Sequence, residues 1–162
     1  MPGRIAWFAD QVTPGLEERF LAGEPDSRAV RLLAKSGLLG LTLPPRYGGL
    51  GLDFLSLGAA CEALGRLDLA YQISVTVHLG LTAMTILQWG DEAQRDRWLP
   101  ALATGSEIAT FALTEPGAGS DVAALSTRAI PDGDGYLLSG EKTWISGASE
   151  ATCFLVFATL DP

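Results

Sequence analysis

The sequence predicts an α+β protein, with helices first and an antiparallel β region after them. Upstream of Gly105, apolar residues recur at intervals of three and four and are bounded by capping residues and glycine stops. Downstream of it the apolar runs shorten and mix with polar neighbours. Within that second part, Pro131-Asp132-Gly133-Asp134-Gly135 is a strong hairpin turn signal.

Asp26 or Ser27 is positioned to cap a helix over 28–36, where Val30, Leu33 and Ala34 share a face and Gly37 supplies the stop. Residues 38–43 form an apolar connector, ended by Pro44 and Pro45, and 46–51 is a turn rich in glycine. Asp53 caps a second helix to about Arg66, with Leu57, Ala60, Cys61 and Leu64 on one side. A third begins at Asp91-Glu92, whose charges suit the helix dipole, carries Ala93, Trp98, Leu99 and Leu102, and ends near Gly105. Pro100 is expected to interrupt or kink it.

Residues 69–81 give conflicting signals. Leu69, Tyr71, Ile73, Val75, Val77, Leu79 and Leu81 alternate as in a strand. A helix buried on nearly all sides need not show a 3.6-residue period. His78, with no acidic or nucleophilic neighbour, reads as a satisfied buried histidine. Further on, the strand candidates are 108–113, 124–130, 136–139, 144–145 and 154–159.

Composition bounds the function. With 162 residues, 48% hydrophobic and 19% charged, the chain can bury a core and is not extensively disordered. A net charge of −8 without a basic run argues against nucleic acid as a partner, and leaves an anionic ligand such as a CoA ester in need of local donors. Cys61 and Cys153 read as buried free thiols, and no metal site is expected. The N-terminus lacks the uninterrupted apolar core of a signal peptide, so the expected location is cytoplasmic. The interval between Asp68 and Asp91 is uncharged and long enough to span a bilayer, but Gln72, Ser74, Thr76, His78, Thr82, Thr85 and Gln88 make it a buried element of a soluble protein rather than a membrane insertion.

The chemistry concentrates in Phe111-Ala112-Leu113-Thr114-Glu115-Pro116-Gly117-Ala118-Gly119-Ser120-Asp121. Gly117 and Gly119 have no Cβ to hold a ligand away, and φ > 0 there would let successive amides converge on an electron-rich oxygen. Taken alone, the string reads first as a polar turn between strands. It gains weight from Trp144-Ile145-Ser146, from Leu43-Pro44-Pro45-Arg46-Tyr47-Gly48-Gly49 upstream, and from the approach Gly140-Glu141-Lys142-Thr143-Trp144. Together these closely resemble the flavin-binding signature of the acyl-CoA dehydrogenase family, and the resemblance extends over most of the chain.

The resemblance implies an N-terminal helical domain over 1–106, with 69–81 helical. Over 107–162 it implies the first part of a middle domain, here an incomplete antiparallel β-barrel-like domain. The implied cofactor is FAD, contacted by Phe111, Leu113, Thr114, Gly119, Ser120, Trp144 and Ser146. Leu113, Thr114 and the turn 117–120 would face the pyrimidine half of the ring, where donors near N1 and the C2 carbonyl favour reduction. Trp144 would pack on the isoalloxazine, and Ser146, a position where many members carry Thr, would donate toward N5. Ser120 would also reach the substrate.

The implied reaction is α,β-dehydrogenation of an acyl-CoA or acyl-carrier thioester, in which a carboxylate takes the α proton while hydride leaves Cβ. In most of the family that carboxylate is a glutamate of a C-terminal helical domain that these residues do not include. Nothing in the spacing of Glu115, Glu141 or Glu150 marks a replacement, so no catalytic residue is assigned. The implied partners are a homo-oligomer or a complementary C-terminal chain, and the chain alone is expected to hold FAD weakly. Two other readings stay open: a flavin monooxygenase or nitroalkane oxidase of the same fold, and a non-catalytic truncated remnant or assembly partner.

Overall fold

The computed structural model describes residues 1–24 and 26–160. Asp161 and Pro162, the end of the expected β domain, lie outside the described residues. Seven α-helices precede four short strands: α1 (Pro2–Val12), α2 (Leu16–Ala22), α3 (Ala29–Ser36), α4 (Phe54–Leu67), α5 (Leu69–Val75), α6 (Met84–Trp89), α7 (Glu92–Thr104), β1 (Ala109–Ala112), β2 (Arg128–Asp132), β3 (Gly135–Ser139) and β4 (Cys153–Val156). The α+β class and the helices-first order are as the sequence predicts.

The two N-terminal helices were not foreseen. α1 starts on Pro2 without a side-chain cap and is held by burial of Phe8 and Val12. α2 is a short segment between Gly15 and Gly23, both left-handed. α3 begins one residue later than expected, because the Asp26 carboxylate accepts from the amide and guanidinium of Arg28 instead of capping the first turn. Gly37, at φ 74°, ends it as predicted. The Pro-Pro-Arg-Tyr-Gly-Gly turn folds back so closely that a Cβ on Gly49 would stand 2.1 Å from the Leu43 carbonyl oxygen.

α4 is capped by Asp53, which accepts from the Ser56 amide at 2.8 Å. Asp91 and Gln94 form a complete capping box at the start of α7. The expected break at Pro100 does not occur. α7 runs through it to Thr104, held by burial of Leu99, Leu102 and Ala103 on one side.

Residues 69–81 are helical. α5, a π-helical segment (Thr76–Ala83) and α6 run on as one helix over Leu69–Trp89. The apolar alternation divides between two sides: Tyr71, Val75 and Leu79 are buried, whereas Leu69, Ile73 and Leu81 are exposed. This helix is long and apolar enough to cross a membrane by length and composition. Here it packs into the core through Tyr71, Val75, Leu79 and Ala83.

The same core gathers Phe8, Leu33, Leu38, Leu43, Leu64, Leu99 and Leu102, and reaches into the strand region at Ala109. His78 makes the junction. It is buried, with Nε2 3.0 Å from the Leu102 carbonyl and Nδ1 accepting from the Ala109 amide at 3.0 Å. The second bond makes Nδ1 the unprotonated nitrogen, so Nε2 carries the hydrogen and donates to Leu102. Burial pushes the imidazole pKa below its ordinary value.

β2 and β3 form the expected antiparallel hairpin, with Asp132 opposite Gly135 and Gly133 at φ 59° in the two-residue turn. β1 and β4 instead pair in parallel, Ala109 opposite Cys153 and Ala112 opposite Val156. An all-antiparallel region is therefore not what forms. The long excursion between the two strands returns the chain in the same direction, as parallel pairing requires. The sheets meet where the Ala129 amide donates to the Thr159 carbonyl, and no closed barrel is present among the described residues. Cys61 and Cys153 are free and half-buried, and no group of acidic, His and Cys side chains suited to a metal occurs among the described residues.

Candidate functional site

β1 carries Phe111, whose ring lies 5.0 Å from that of Phe157, and the chain then turns out of the sheet at Leu113. The turn is closed by a reciprocal pair of bonds, Glu115 amide to Ala118 carbonyl and Ala118 amide to Glu115 carbonyl, each 3.1 Å. Neither Gly117 nor Gly119 has positive φ, so the expected left-handed convergence of amides is not how this loop is built. The Glu115–Ala118 ring of hydrogen bonds sets the turn without it. A Cβ on either glycine would meet nothing within 4 Å. The amides of Gly117, Gly119 and Ser120 donate to no acceptor among the described residues.

Trp144 is not in a strand, as its β-favouring side chain had led us to expect. It occupies a bend at φ 58°, the only non-glycine residue with positive φ among those described. Its side chain is 88% exposed. An indole left in solvent on a backbone conformation costly for a bulky residue marks a position set by something other than the packing of this chain.

The structure brings the two strings together. The Thr143 amide donates to the Thr114 carbonyl at 2.9 Å, and Lys142 Nζ donates to the Leu113 carbonyl at 2.9 Å. The Ser146 carbonyl accepts from Thr110 Oγ1 at 2.6 Å, which ties the far side of the bend back to β1. The 142–146 segment thus runs beside β1, with Thr143 at Thr114 beyond the strand's end and Ser146 at Thr110 within it, while Gly119 and Ser120 stand on the exposed loop with no bond to that segment.

Sequence reasoning gave Glu115, Lys142, Thr143 and Thr110 no role. Glu115 Oε2 accepts from the Ser126 amide and hydroxyl, both at 2.7 Å, and Oε1 from the Thr127 amide at 2.9 Å and Lys142 Nζ at 2.8 Å. Lys142, then the donors of Thr127 and Ser126, hold this carboxyl well below the usual carboxylate range. Glu115 and Lys142 stand inside the quoted motifs, and that position was the only available signal. Beyond Ser146 lie two depressions that share Val30, Ser74 and Glu150. One is a cavity of about 40 Å³ lined by Val77, His78, Ile108 and Ser146, and the other a groove of about 410 Å³ lined by Arg19, Asp26 and Tyr71.

Comparison with known proteins resolves the family. A sequence model of the acyl-CoA dehydrogenase N-terminal domain matches residues 5–106, and one of the middle domain matches residues 110–162. The chain belongs to the acyl-CoA dehydrogenase family. It is 42% identical over 138 residues to a probable acyl-CoA dehydrogenase of Bacillus subtilis, covering 82% of this chain and 23% of that protein. Butyryl-CoA dehydrogenase from Megasphaera elsdenii superposes with a TM-score of 0.92 at 32% identity, over 98% of this chain and 43% of that one. Glutaryl-CoA dehydrogenase from Mycobacterium smegmatis, solved with FADH2, superposes with a TM-score of 0.87 at 33% identity, over 96% of this chain and 40% of that one. The chain therefore spans less than half the length of these acyl-CoA dehydrogenases.

Proposed function

We propose that this chain forms the flavin-facing part of an FAD-dependent dehydrogenase of acyl-CoA-type thioesters, with residues 1–106 as its helical domain and 107–162 as part of a β-barrel-like domain. The observation that carries the reading is Trp144, exposed and held at positive φ beside the loop whose glycines leave open space. A flat aromatic ring system fits this arrangement. The indole offers a face, the amides of Gly117, Gly119 and Ser120 are free to donate, and a side chain on either glycine would intrude on the space in front of the loop.

FAD, when bound, supplies the hydride acceptor. The chain's own residues then bind and orient. Phe111 and Leu113 make the apolar edge at the end of β1, and Trp144 packs on the ring. The hydroxyls of Thr114 and Ser120 and the loop amides donate to its electron-rich edge, while Ser146 donates on the opposite side. Ser120, on the outermost part of the loop, also reaches the thioester.

None of these residues accepts the α proton. Glu115 is buried and already takes four hydrogen bonds, and no base is assigned to this chain. An exposed apolar β3, carrying Tyr136, Leu137 and Leu138, supports further protein packed against this end, from an oligomer or a complementary chain. Two free thiols fit a reducing compartment.

FAD titration of the full-length protein is expected to quench flavin fluorescence, and addition of acyl-CoA without oxygen to bleach the bound chromophore. Absence of flavin binding refutes the proposal. Binding without bleaching by any acyl thioester removes the dehydrogenase assignment and leaves a flavin-binding protein.

A further inference from the structure

The Glu115–Lys142 ion pair is buried and lines neither of the depressions beyond Ser146. Its side chains are 2% and 12% exposed. One carboxylate connects three separate stretches of chain: its own loop after β1, the Ser126-Thr127 entry to β2, and Lys142 just before Trp144. Lys142 in turn reaches back to the Leu113 carbonyl, and its neighbour Thr143 bonds Thr114. Every segment bearing a proposed flavin contact, except the Ser146 side of the bend, is thus tied to a single buried charge pair.

We propose that Glu115 and Lys142 act as positioning residues, a clamp that fixes the spacing between the 113–121 loop and Trp144 and so sets the width of the flavin slot. The proposal rests on the flavin reading above. Its physical basis is that a buried carboxylate with four donors and a buried ammonium with two acceptors admit few alternative geometries. Without the charges, the loop keeps its Glu115–Ala118 backbone ring but loses the Lys142 link, its bonds to the Ser126-Thr127 entry fall to those one amide oxygen accepts, and Trp144 is left attached through Thr143 and the Ser146–Thr110 bond. A ring stacked between two elements needs both at fixed separation, and looseness of about 1 Å at such a site costs orders of magnitude in function.

The test compares wild type, Lys142→Arg, and the double variant Glu115→Gln with Lys142→Met in the full-length protein. The double variant removes both charges together, so neither is left buried and unpaired. Lys142→Arg keeps the charge but replaces the single Nζ that meets both acceptors. Three quantities are read: the FAD dissociation constant from fluorescence quenching, the visible spectrum of bound flavin, and amide hydrogen exchange over 113–121 and 142–146 in the FAD-free protein. The expected result for the double variant is a dissociation constant raised by about tenfold or more, a changed flavin spectrum, and faster exchange in both segments at once. Lys142→Arg is expected to fall between the two, and serves as the deciding variant if the double variant does not fold. FAD affinity and spectrum equal to wild type in the folded variant overturn the clamp and leave the flavin reading intact. Failure of wild type to bind FAD overturns both.

Discussion

Replacing His78 with leucine tests whether the helices and the first strand are joined through one imidazole. Leucine fills a similar volume, so the cavity contribution is small and the change falls on two hydrogen bonds. The Ala109 amide loses its acceptor in a buried setting, at about 1–3 kcal/mol. The Leu102 carbonyl still accepts from the Gly105 amide at 3.2 Å, so its loss is the net value of one bond, about 0.5–1.5 kcal/mol. Together these amount to about 1.5–4.5 kcal/mol, a large part of the roughly 5–15 kcal/mol that holds a typical domain. Acidification gives an independent reading. A proton on Nδ1 would point at the Ala109 N–H, and burial already disfavours the charge, so the folded-state pKa lies below 6.5. The unfolded chain therefore takes up the proton first. The contribution of His78 is complete above pH 6.5 and declines as pH falls from 6.5 toward the folded-state pKa, by at most about 1.4 kcal/mol per pH unit. Because His78 is the single histidine of the sequence, the variant lacks that slope. Urea unfolding followed by circular dichroism at pH 7.5 and 5.5 should show the gap between wild type and variant narrowing with acid. A variant as stable as wild type at pH 7.5, or a gap that widens at pH 5.5, would refute the reasoning.

Two other substitutions probe the turn and the bend. Gly49→Ala sets a methyl 2.1 Å from the Leu43 carbonyl oxygen and 2.6 Å from the Leu43 Cβ, so the backbone must shift, and the midpoint of urea unfolding should drop by the equivalent of about 1–3 kcal/mol or more. Trp144→Gly relieves the positive φ and should leave the FAD-free protein as stable as wild type, or up to about 1 kcal/mol more so, while the dissociation constant for FAD rises. Thermal unfolding with and without FAD separates the two effects, and a destabilised FAD-free variant would show that the indole packs for the chain's own sake.

What could be read in advance divides by how locally each feature is determined. Asp53, the helix start at Asp91 and the stops at Gly37 and Gly105 depend on a side chain or backbone and its immediate neighbours, and all four lie where the spacing puts them. α1 lacks those markers and is declared only by packing of Phe8 and Val12, and α2 has the glycine stop at Gly23 but no side-chain cap. The Leu69–Trp89 segment misleads because its exposed positions are also apolar, so no polar face reports the helical period. The parallel pairing of β1 with β4 is set by contacts between strands far apart in sequence, invisible to a windowed pattern. The site strings were legible as strings, through their resemblance to a family. Their geometry was not: Trp144 looks like a strand residue by propensity, and Gly117 and Gly119 look like left-handed residues by composition.

Those two misreadings have a common physical origin, which bears on how the site works. Propensity arguments assume that a residue is chosen for what it does inside its own chain. At Gly117, Gly119 and Trp144 the chain makes little use of the residue: the glycines contact nothing where a side chain would be, and the indole is in water. Directly behind them the opposite holds, since Glu115 uses both carboxylate oxygens and Lys142 has two acceptors. A surface on which local preference is violated, backed by a layer in which the buried charges are paired, is the pattern expected where stability is given up for recognition and restored one layer below. On the proposed flavin reading the violated layer binds and the satisfied layer holds it in place, so substitutions in front should change affinity at constant stability, whereas those behind should change both.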